Sequence, residues 1–240
     1  MKFIKKLFES IELVFIGFGN LFYNLGLTLY ETFLFGSKSW WWKIRFQYFV
    51  NYIFSRTNWI VRRESGEFDY PEENFIYGET PCFTIKQILE AIDCQPGDLF
   101  IDLGCGRGLT VFYSHFLKDM SAHGYEILPA FVRKARKIAN SIGDKNIKFF
   151  EKDILTADLS SAKIIYIAGT TFPEDFIQKL NQKLRDAPPG CHIVTLSYNL
   201  PNKYFNLYRE MVLYFTWGKS HVYFHKRRDK KTVAKRERTQ

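Results

Sequence analysis

An acidic residue followed by closely spaced glycines is the first pattern in this sequence that could perform chemistry. Asp102 lies in the apolar run LFIDL, and Gly104, Gly106 and Gly108 follow at every second position. Such a run is typical of a buried parallel strand, and glycines allow the backbone of the next turn to approach a ligand closely. Open α/β sheets bind nucleotide-like ligands at such strand ends. We therefore expect a nucleotide-like ligand at this turn.

Two further acidic residues follow the next two predicted strands. Glu126 ends a strand at 121–126 and can accept two hydrogen bonds from a ribose diol. Asp153 follows a strand at 147–150 and can accept a hydrogen bond from an adenine amino group, while Ile154 packs on the ring. The turn has neither a GxGxxG nor a GK[ST] pattern, which favours a nucleoside without a pyrophosphate. Each carboxylate alone could instead cap a helix or lie in a solvated loop, but their joint placement after three successive strands favours binding.

The chain must supply a sheet that brings these strand ends together. We predict strands at 98–103, 121–126, 147–150, 163–167, 191–197, 206–216 and 219–226. Helices are predicted near 84–92, 108–118, 129–141 and 173–185. Strands that alternate with helices and finish in a hairpin imply an α/β fold with a mostly parallel sheet and an antiparallel edge.

Composition narrows the class of partner and the cellular compartment. The 240 residues carry a net charge of +9, which favours an anionic partner such as nucleic acid, acidic protein or phospholipid. The four cysteines have neither a CxxC motif nor a Cys/His metal spacing. We therefore expect reduced thiols, no disulfide framework and no metal site.

Residues 1–63 differ from the rest of the chain. Residues 13–30 carry no charge and are mostly apolar, long enough for a bilayer core of ~30 Å. Aromatic and basic residues then mix between 40 and 63, which suits a membrane interface. A helical hairpin that covers one face of the following domain would have the same composition, so a span, an interfacial anchor and a packed hairpin stay open.

The remaining chain divides into three parts. Residues 64–76 are acidic and polar and are predicted to form a linker, and residues 77–226 form the main domain. Residues 227–240 form a basic tail that could contact nucleic acid, acidic lipid or nothing. The expected location is cytoplasmic, with attachment to a membrane surface through residues 1–63 as an open alternative.

Taken together, the motifs resemble the S-adenosylmethionine-dependent methyltransferases of the Rossmann-like class, over roughly residues 77–226. The segment YGETP before a helix, followed by DLFIDLGCGRGL, resembles the non-SET histone-lysine methyltransferases, the "disruptor of telomeric silencing" family. The segments IYIAGTTFPEDF and TWGKSHVYFH resemble that family's fourth-strand region and terminal hairpin. The resemblance implies a Rossmann-like seven-stranded sheet, S-adenosylmethionine as cofactor and a protein lysine as methyl acceptor.

The resemblance also implies roles for individual residues. The loop that contains Glu79 and Thr80 would fold over the methionine part of the cofactor. The implied cofactor-binding residues are Glu79, Thr80, Asp102, Gly104, Cys105, Gly106, Gly108, Glu126, Asp153 and Ile154. The implied aromatic lysine channel consists of Tyr77, Phe172, Trp217 and Tyr223, with Trp217 one position away from the family's channel tryptophan.

The chain departs from the family at several positions. Ala168 and Gly169 stand where the family has paired asparagines, and Cys105 replaces a serine. Residues 1–63 do not resemble the N-terminal helical region of the eukaryotic enzymes. We therefore expect a lysine on a protein other than the nucleosome.

Methyl transfer to lysine requires alignment of amine, methyl carbon and sulfur, and a neutral amine. With a lysine pKa near 10.4, neutrality at pH 7 costs about 4–5 kcal/mol, which a dry aromatic channel beside a sulfonium reduces. No histidine lies in a cofactor motif, so no general base is expected. A small-molecule or lipid methyltransferase at a membrane is the alternative. A non-enzymatic basic adaptor would leave the three strand-end carboxylates without a role.

Overall fold

The computed structural model describes residues 2–55, 57–68, 70–71, 75 and 77–229, and side chains from residue 17 onward except that of residue 58. The helices are α1 (Lys2–Phe35), α2 (Ser39–Tyr52), α3 (Thr57–Glu64), α4 (Cys82–Glu90), α5 (Leu109–Lys118), α6 (Pro129–Ile142) and α7 (Glu174–Lys183). The strands are β1 (Leu99–Leu103), β2 (Ser121–Glu126), β3 (Ile147–Glu151), β4 (Ile164–Ile167), β5 (His192–Leu196), β6 (Phe205–Phe215) and β7 (Gly218–Arg227). The basic tail beyond residue 229 lies outside the described residues.

The strands form one sheet in the order β3-β2-β1-β4-β5-β7-β6. Strands β1 to β5 are parallel, and β7 runs antiparallel to both β5 and β6. The predicted α/β fold with a Rossmann-like seven-stranded sheet is confirmed. The chain leaves β1 toward β2 on one side and returns to β4 on the other, so the carboxyl ends of β1 and β4 border the crevice where such sheets bind ligands.

Two apolar layers cover the sheet. Strands β4 and β5 are buried along their whole length, as expected for parallel strands packed on both faces. Side chains of the N-terminal helices and of α4, α5 and α6 form one core cluster, whereas α7 contributes to a second cluster. The helix predicted at 84–92 begins earlier, at Cys82, where Pro81 ends the preceding extended loop.

Helix α2 packs its aromatic side against the sheet domain. Trp41 and Tyr48 are buried, and the Trp40 ring stacks on Phe116 of α5 with centroids 5.4 Å apart. The Tyr48 ring meets Phe112 edge-on at 6.0 Å. For α2 the structure therefore shows the packed-hairpin alternative. In the described part of the chain, no helix has the length and apolar character needed to cross a membrane.

Helix α1 is bonded to two segments near the crevice. The Tyr23 hydroxyl donates to the carbonyl of Phe215, 2.8 Å away, and Asn24 Nδ2 donates to the carbonyl of Thr216. Buried Glu31 accepts a hydrogen bond from the backbone N–H of Cys82, at the start of α4. Helix α1 therefore holds both the β6–β7 turn and the first turn of α4.

Candidate active site

A cavity of about 370 Å³ lies at the carboxyl ends of β1, β2 and β4. Four carboxylates line it: Glu79, Asp102, Glu126 and Asp153. Among its described lining residues there is no lysine, arginine or histidine. Four carboxylates, of which Glu79 is paired with Arg107 outside the lining, attract a positively charged ligand and disfavour a phosphate.

Asp102 lines this cavity and has one carboxylate oxygen without a hydrogen-bond partner among the described residues. The residue is 2% exposed; its Oδ2 accepts the Thr110 hydroxyl, whereas Oδ1 has no hydrogen-bond partner among the described residues. Burial, reinforced by the nearby Glu126, raises the pKa of Asp102 to about 7. A buried carboxylate oxygen without a donor is costly. The site therefore lacks a donor that a ligand amine can supply.

The glycine turn leaves space for a ligand where it borders the cavity. Gly104 has a φ of 82°, in the left-handed region, and a Cβ there would meet no protein atom within 4 Å. A Cβ on Gly106 would instead lie 2.7 Å from the Tyr77 ring, and one on Gly108 would lie 2.4 Å from Phe149. The first glycine opens the cavity, and the other two permit close packing around it.

Glu126 is fixed by backbone donors at the end of β2. Its Oε2 accepts from the N–H of Gly106 at 2.8 Å, and its Oε1 accepts from Ile127 and Leu128 at 2.8 and 2.9 Å. Burial raises its pKa, while these three N–H bonds act in the opposite direction. A carboxylate has about four acceptor positions and these bonds use three of them, so one position remains for a ribose hydroxyl.

Asp153 caps the short turn after β3. Its Oδ1 accepts from the N–H of Leu155 at 2.8 Å, and its Oδ2 accepts from the Tyr70 hydroxyl. The capping alternative is thus present, and Ile154 lies buried beside it in the cavity lining. Tyr70 comes from the segment predicted as a linker, which therefore contributes to the cavity.

An arginine in the glycine turn anchors the YGET loop. Arg107 forms an ion pair with Glu79, and its Nε lies 3.1 Å from the Tyr77 hydroxyl, which itself donates to Glu79 at 2.5 Å. The guanidinium lies over the rings of Tyr48 and Tyr52 at 5.4 and 4.8 Å. Helix α2 therefore positions the loop through Arg107.

The turn between β6 and β7 also contacts the YGET loop. Thr216 Oγ1 accepts from the N–H of Glu79 at 3.0 Å, and Trp217 packs so closely on Gly78 that a Cβ there would lie 2.3 Å from its ring. Thr80, at the end of the loop, is buried and lies 2.6 Å from the Tyr166 hydroxyl. Only glycine fits beneath the tryptophan.

Aromatic rings share the cavity lining with the carboxylates. Tyr77, Phe172 and Trp217 are among them. A Cβ on Gly169 would lie 2.2 Å from the Phe172 ring, so the small residue that replaces the family's asparagine lets Phe172 fold inward. Ala168 lines the same stretch.

Tyr223 lies elsewhere. It is in the middle of β7, opposite Thr195 of β5 and Glu210 of β6, and does not belong to the cavity lining. Its role in a lysine channel stays a prediction.

Sequence patterns did not identify the cavity residues Tyr70, Phe75, Thr110 and Tyr166, or Arg107, which is paired with Glu79 outside the lining. Only two of these carried a usable signal. For Arg107 the signal is a charged residue between two glycines of a tight turn, and for Thr110 it is a position just inside the helix that follows Asp102.

Cys105 is buried in the turn, and desolvation raises the pKa of its thiol well above the usual range, so the thiol stays neutral. All four cysteines are free thiols. The described residues contain no group of three or more His, Cys, Asp or Glu side chains arranged to hold a metal ion.

Comparisons with solved structures support the fold. An RNA methyltransferase from Salinibacter ruber, solved with S-adenosyl-L-homocysteine, is 27% identical, with a TM-score of 0.53, over 63% of this chain and 95% of that one. The putative methyltransferase yhhF from Escherichia coli matches 62% of this chain and 84% of its own length, at 15% identity and a TM-score of 0.51. The second likeness concerns the fold alone.

Sequence comparisons identify the family. The H3 lysine-79-specific histone-lysine N-methyltransferase of Eremothecium gossypii is 23% identical over 147 residues, covering 55% of this chain and 26% of that protein. The enzyme of the same name from Yarrowia lipolytica is 24% identical over 170 residues, covering 64% of this chain and 34% of the relative. This chain thus spans about a quarter to a third of the length of these relatives.

A family model described as "Histone methylation protein DOT1" matches residues 68–213, more than half of the chain. The match includes the YGET loop, the glycine turn and all four cavity carboxylates. It confirms the resemblance found in the sequence motifs. The chain belongs to the DOT1 family of histone methylation proteins.

Proposed function

We propose that this protein is an S-adenosylmethionine-dependent methyltransferase that methylates a lysine side chain of a protein. The observation that carries the proposal is one cavity lined by both carboxylates and aromatic rings. Four carboxylates line it, of which Glu79 is paired with Arg107, together with aromatic rings that include Tyr77, Phe172 and Trp217. The carboxylates suit a cationic nucleoside, and the aromatic rings suit the alkyl chain of a lysine.

The cavity residues fit the parts of the cofactor. When bound, S-adenosylmethionine supplies a sulfonium-activated methyl group. The free Oδ1 of Asp102 would accept from its amino group, and Glu126 would accept from a ribose hydroxyl. Asp153 and Ile154 would face the adenine, while Glu79 and Thr80 would cover the methionine part. Family membership and the related structure with S-adenosyl-L-homocysteine support this assignment.

The aromatic rings of the cavity would help to keep the acceptor amine neutral. Tyr77, Phe172 and Trp217 would exclude water from the lysine, and desolvation lowers an amine pKa. A neutral amine at pH 7 requires about 4–5 kcal/mol relative to water, which desolvation and a nearby sulfonium supply together. Burial and Glu79 raise the pKa of Tyr77 well above its usual value, so its hydroxyl stays protonated and bonded to Glu79.

In this proposal the methyl acceptor is a lysine of a protein other than the histone H3 in the names of the relatives. Those relatives act on lysine 79 of histone H3 according to their names. The family model begins at residue 68, so the aromatic N-terminal helices lie outside the match. Those helices hold the loop and turn around the cavity, which favours a different protein substrate.

The test is methyl transfer from labelled S-adenosylmethionine to proteins of a host-cell lysate. Label should be recovered as methyl-lysine after acid hydrolysis. At saturating S-adenosylmethionine, Trp217→Ala should reduce it at least tenfold, because the ring lines the cavity with Tyr77 and Phe172. Trp59→Ala, at an exposed tryptophan of α3, is the matched control and should retain activity. Label confined to lipid extracts or small molecules would contradict the proposal.

A further inference from the structure

The outward side of α1 carries a continuous apolar stripe. Its exposed members are Phe18, Leu21, Phe22, Leu25, Leu29 and Phe33. At 3.6 residues per turn these positions fall within about 120° of the helix surface. Tyr23, Asn24 and Glu31 lie on the opposite side and bond to the protein. Helix α1 therefore has one face that bonds to the rest of the protein and one apolar face that is exposed.

Helix α2 repeats the arrangement. Its exposed apolar side chains are Trp42, Phe46, Phe49 and Val50, followed by Ile53 just after the helix. Its opposite side is buried against the sheet domain, through Trp41, Ile44, Tyr48 and Tyr52. A helix that is apolar on both sides requires a second apolar environment beyond the core.

These stripes account for most of the exposed apolar surface. Of the 19 exposed large hydrophobic side chains among the described residues, 14 lie between Phe18 and Trp59. Phe33 is 85% exposed and Phe54 is 96% exposed. This many exposed apolar side chains on two consecutive helices mark an interaction surface rather than scattered chance exposure.

Charge identifies the kind of surface that would cover the stripes. Lys38 and Lys43 are exposed beside them, and Arg62 and Arg63 are exposed on α3. Between residues 17 and 64 the acidic residues are Glu31, which bonds to Cys82, and Glu64, which bonds to the N–H of Ala130 in α6. Helix α6, beside α2, carries four basic residues and no acidic one, and of these Arg133 is paired with Glu64.

We propose that this face, formed by the exposed side chains of α1 and α2, docks on a bilayer surface that contains anionic phospholipid. Aromatic side chains inserted at the headgroup level, with basic residues beside them, are the composition of interfacial helices. A symmetric second copy would instead bring the same cations together without acidic partners. An anionic lipid surface would cover the apolar stripes and attract the excess of basic residues.

Docking has a consequence for the cavity. The inner side of α1 bonds to the turn that precedes Trp217 and to the start of α4, so attachment of its outer side would fix the cavity near the bilayer. If the proposed function is correct, the acceptor is then a lysine of a membrane-associated protein. The docking itself does not depend on that activity.

The test measures binding of the full chain to vesicles without any activity assay. Vesicles of phosphatidylcholine alone are compared with vesicles in which a third of the lipid is phosphatidylserine. The protein should co-sediment with the anionic vesicles at least tenfold more strongly, since each cation near the surface adds about fivefold. Binding should weaken at high salt because screening shortens the attraction.

Matched variants distinguish binding through the α1–α2 face from nonspecific binding through other exposed apolar side chains. Combined Phe22→Ser, Phe46→Ser and Phe49→Ser should reduce vesicle binding at least tenfold. Combined Leu207→Ser and Val212→Ser, at exposed positions of β6, should leave it unchanged. Cofactor affinity of both variants checks that each is folded.

Three results would overturn the proposal. These are no binding to either vesicle, equal loss of binding in the two variants, or a dimer in light scattering that the α1–α2 substitutions dissociate. Vesicle binding without methyl transfer would count against the proposed function and leave the docking proposal standing.

Discussion

Replacing Asp102 by Asn should stabilise the ligand-free protein and weaken cofactor binding. The pKa of Asp102 rises from 3.8 to about 7 because the carboxylate is buried with one oxygen unpaired. The folded state therefore holds the proton more tightly than the unfolded chain does. Stability accordingly falls as the pH rises from about 4 to about 7, by about 4 kcal/mol in total. Asparagine does not titrate, so the stability of the variant should not fall with pH for this reason.

The assay is urea unfolding of both ligand-free proteins at pH 5 and pH 8. The free energy of unfolding of Asp102→Asn, relative to the original protein, should rise by about 3 kcal/mol between the two pH values. Asp93→Asn, at an exposed carboxylate, is the control and should show no comparable change. A difference that stays constant with pH, or that changes in the opposite direction, would refute the burial argument.

The same substitution should have the opposite effect on the cofactor. The ionised carboxylate accepts from a cationic amino group, and such a bond contributes about 1.5–3 kcal/mol. Calorimetry should therefore show a 10- to 100-fold weaker affinity for S-adenosylmethionine. The original protein should also bind more tightly at pH 8 than at pH 6, whereas the variant should not. Unchanged affinity would place the amino group elsewhere.

Three other substitutions test the elements that surround the cavity. Arg107→Met removes the ion pair with Glu79 and the contact with the Tyr52 ring, so cofactor affinity should fall about tenfold in calorimetry; full affinity would mean that the YGET loop does not need this anchor. Gly78→Ala would place a Cβ 2.3 Å from Trp217, at a cost of about 1–3 kcal/mol. Tryptophan fluorescence should shift and methyl transfer should fall, and an unchanged spectrum with full activity would contradict the packing. Tyr23→Phe leaves the Phe215 carbonyl without this donor and should cost about 1 kcal/mol in urea unfolding; no loss would mean that α1 does not hold the turn through this bond.

The features that the sequence predicted well are local. The apolar strand before Asp102 and the glycines after it are set by burial and by backbone conformation, and the structure places them at the strand end as expected. Strand ends also determine where Glu126 and Asp153 lie, because parallel strands bring their carboxyl ends to one edge.

The features that the sequence did not predict depend on distant partners. Arg107 is paired with Glu79 and lies over the rings of Tyr48 and Tyr52, which precede Arg107 by more than fifty residues. The Tyr70 hydroxyl donates to Asp153, 83 residues later in the chain. Composition likewise could not orient the N-terminal helices, because α2 is apolar on both sides. The position of Tyr223 depends on hairpin register, which a motif comparison does not fix.

The central claim is that the carboxylate-lined cavity transfers a methyl group to a protein lysine. The most direct measurement is quantitative mass spectrometry of methyl-lysine in cells that lack the protein, that contain it, or that contain Asp102→Asn. We predict that at least one lysine loses its methylation without the protein and regains it with the original chain but not with the variant. An unchanged methyl-lysine profile, with a methylated lipid or small molecule lost instead, would contradict the account.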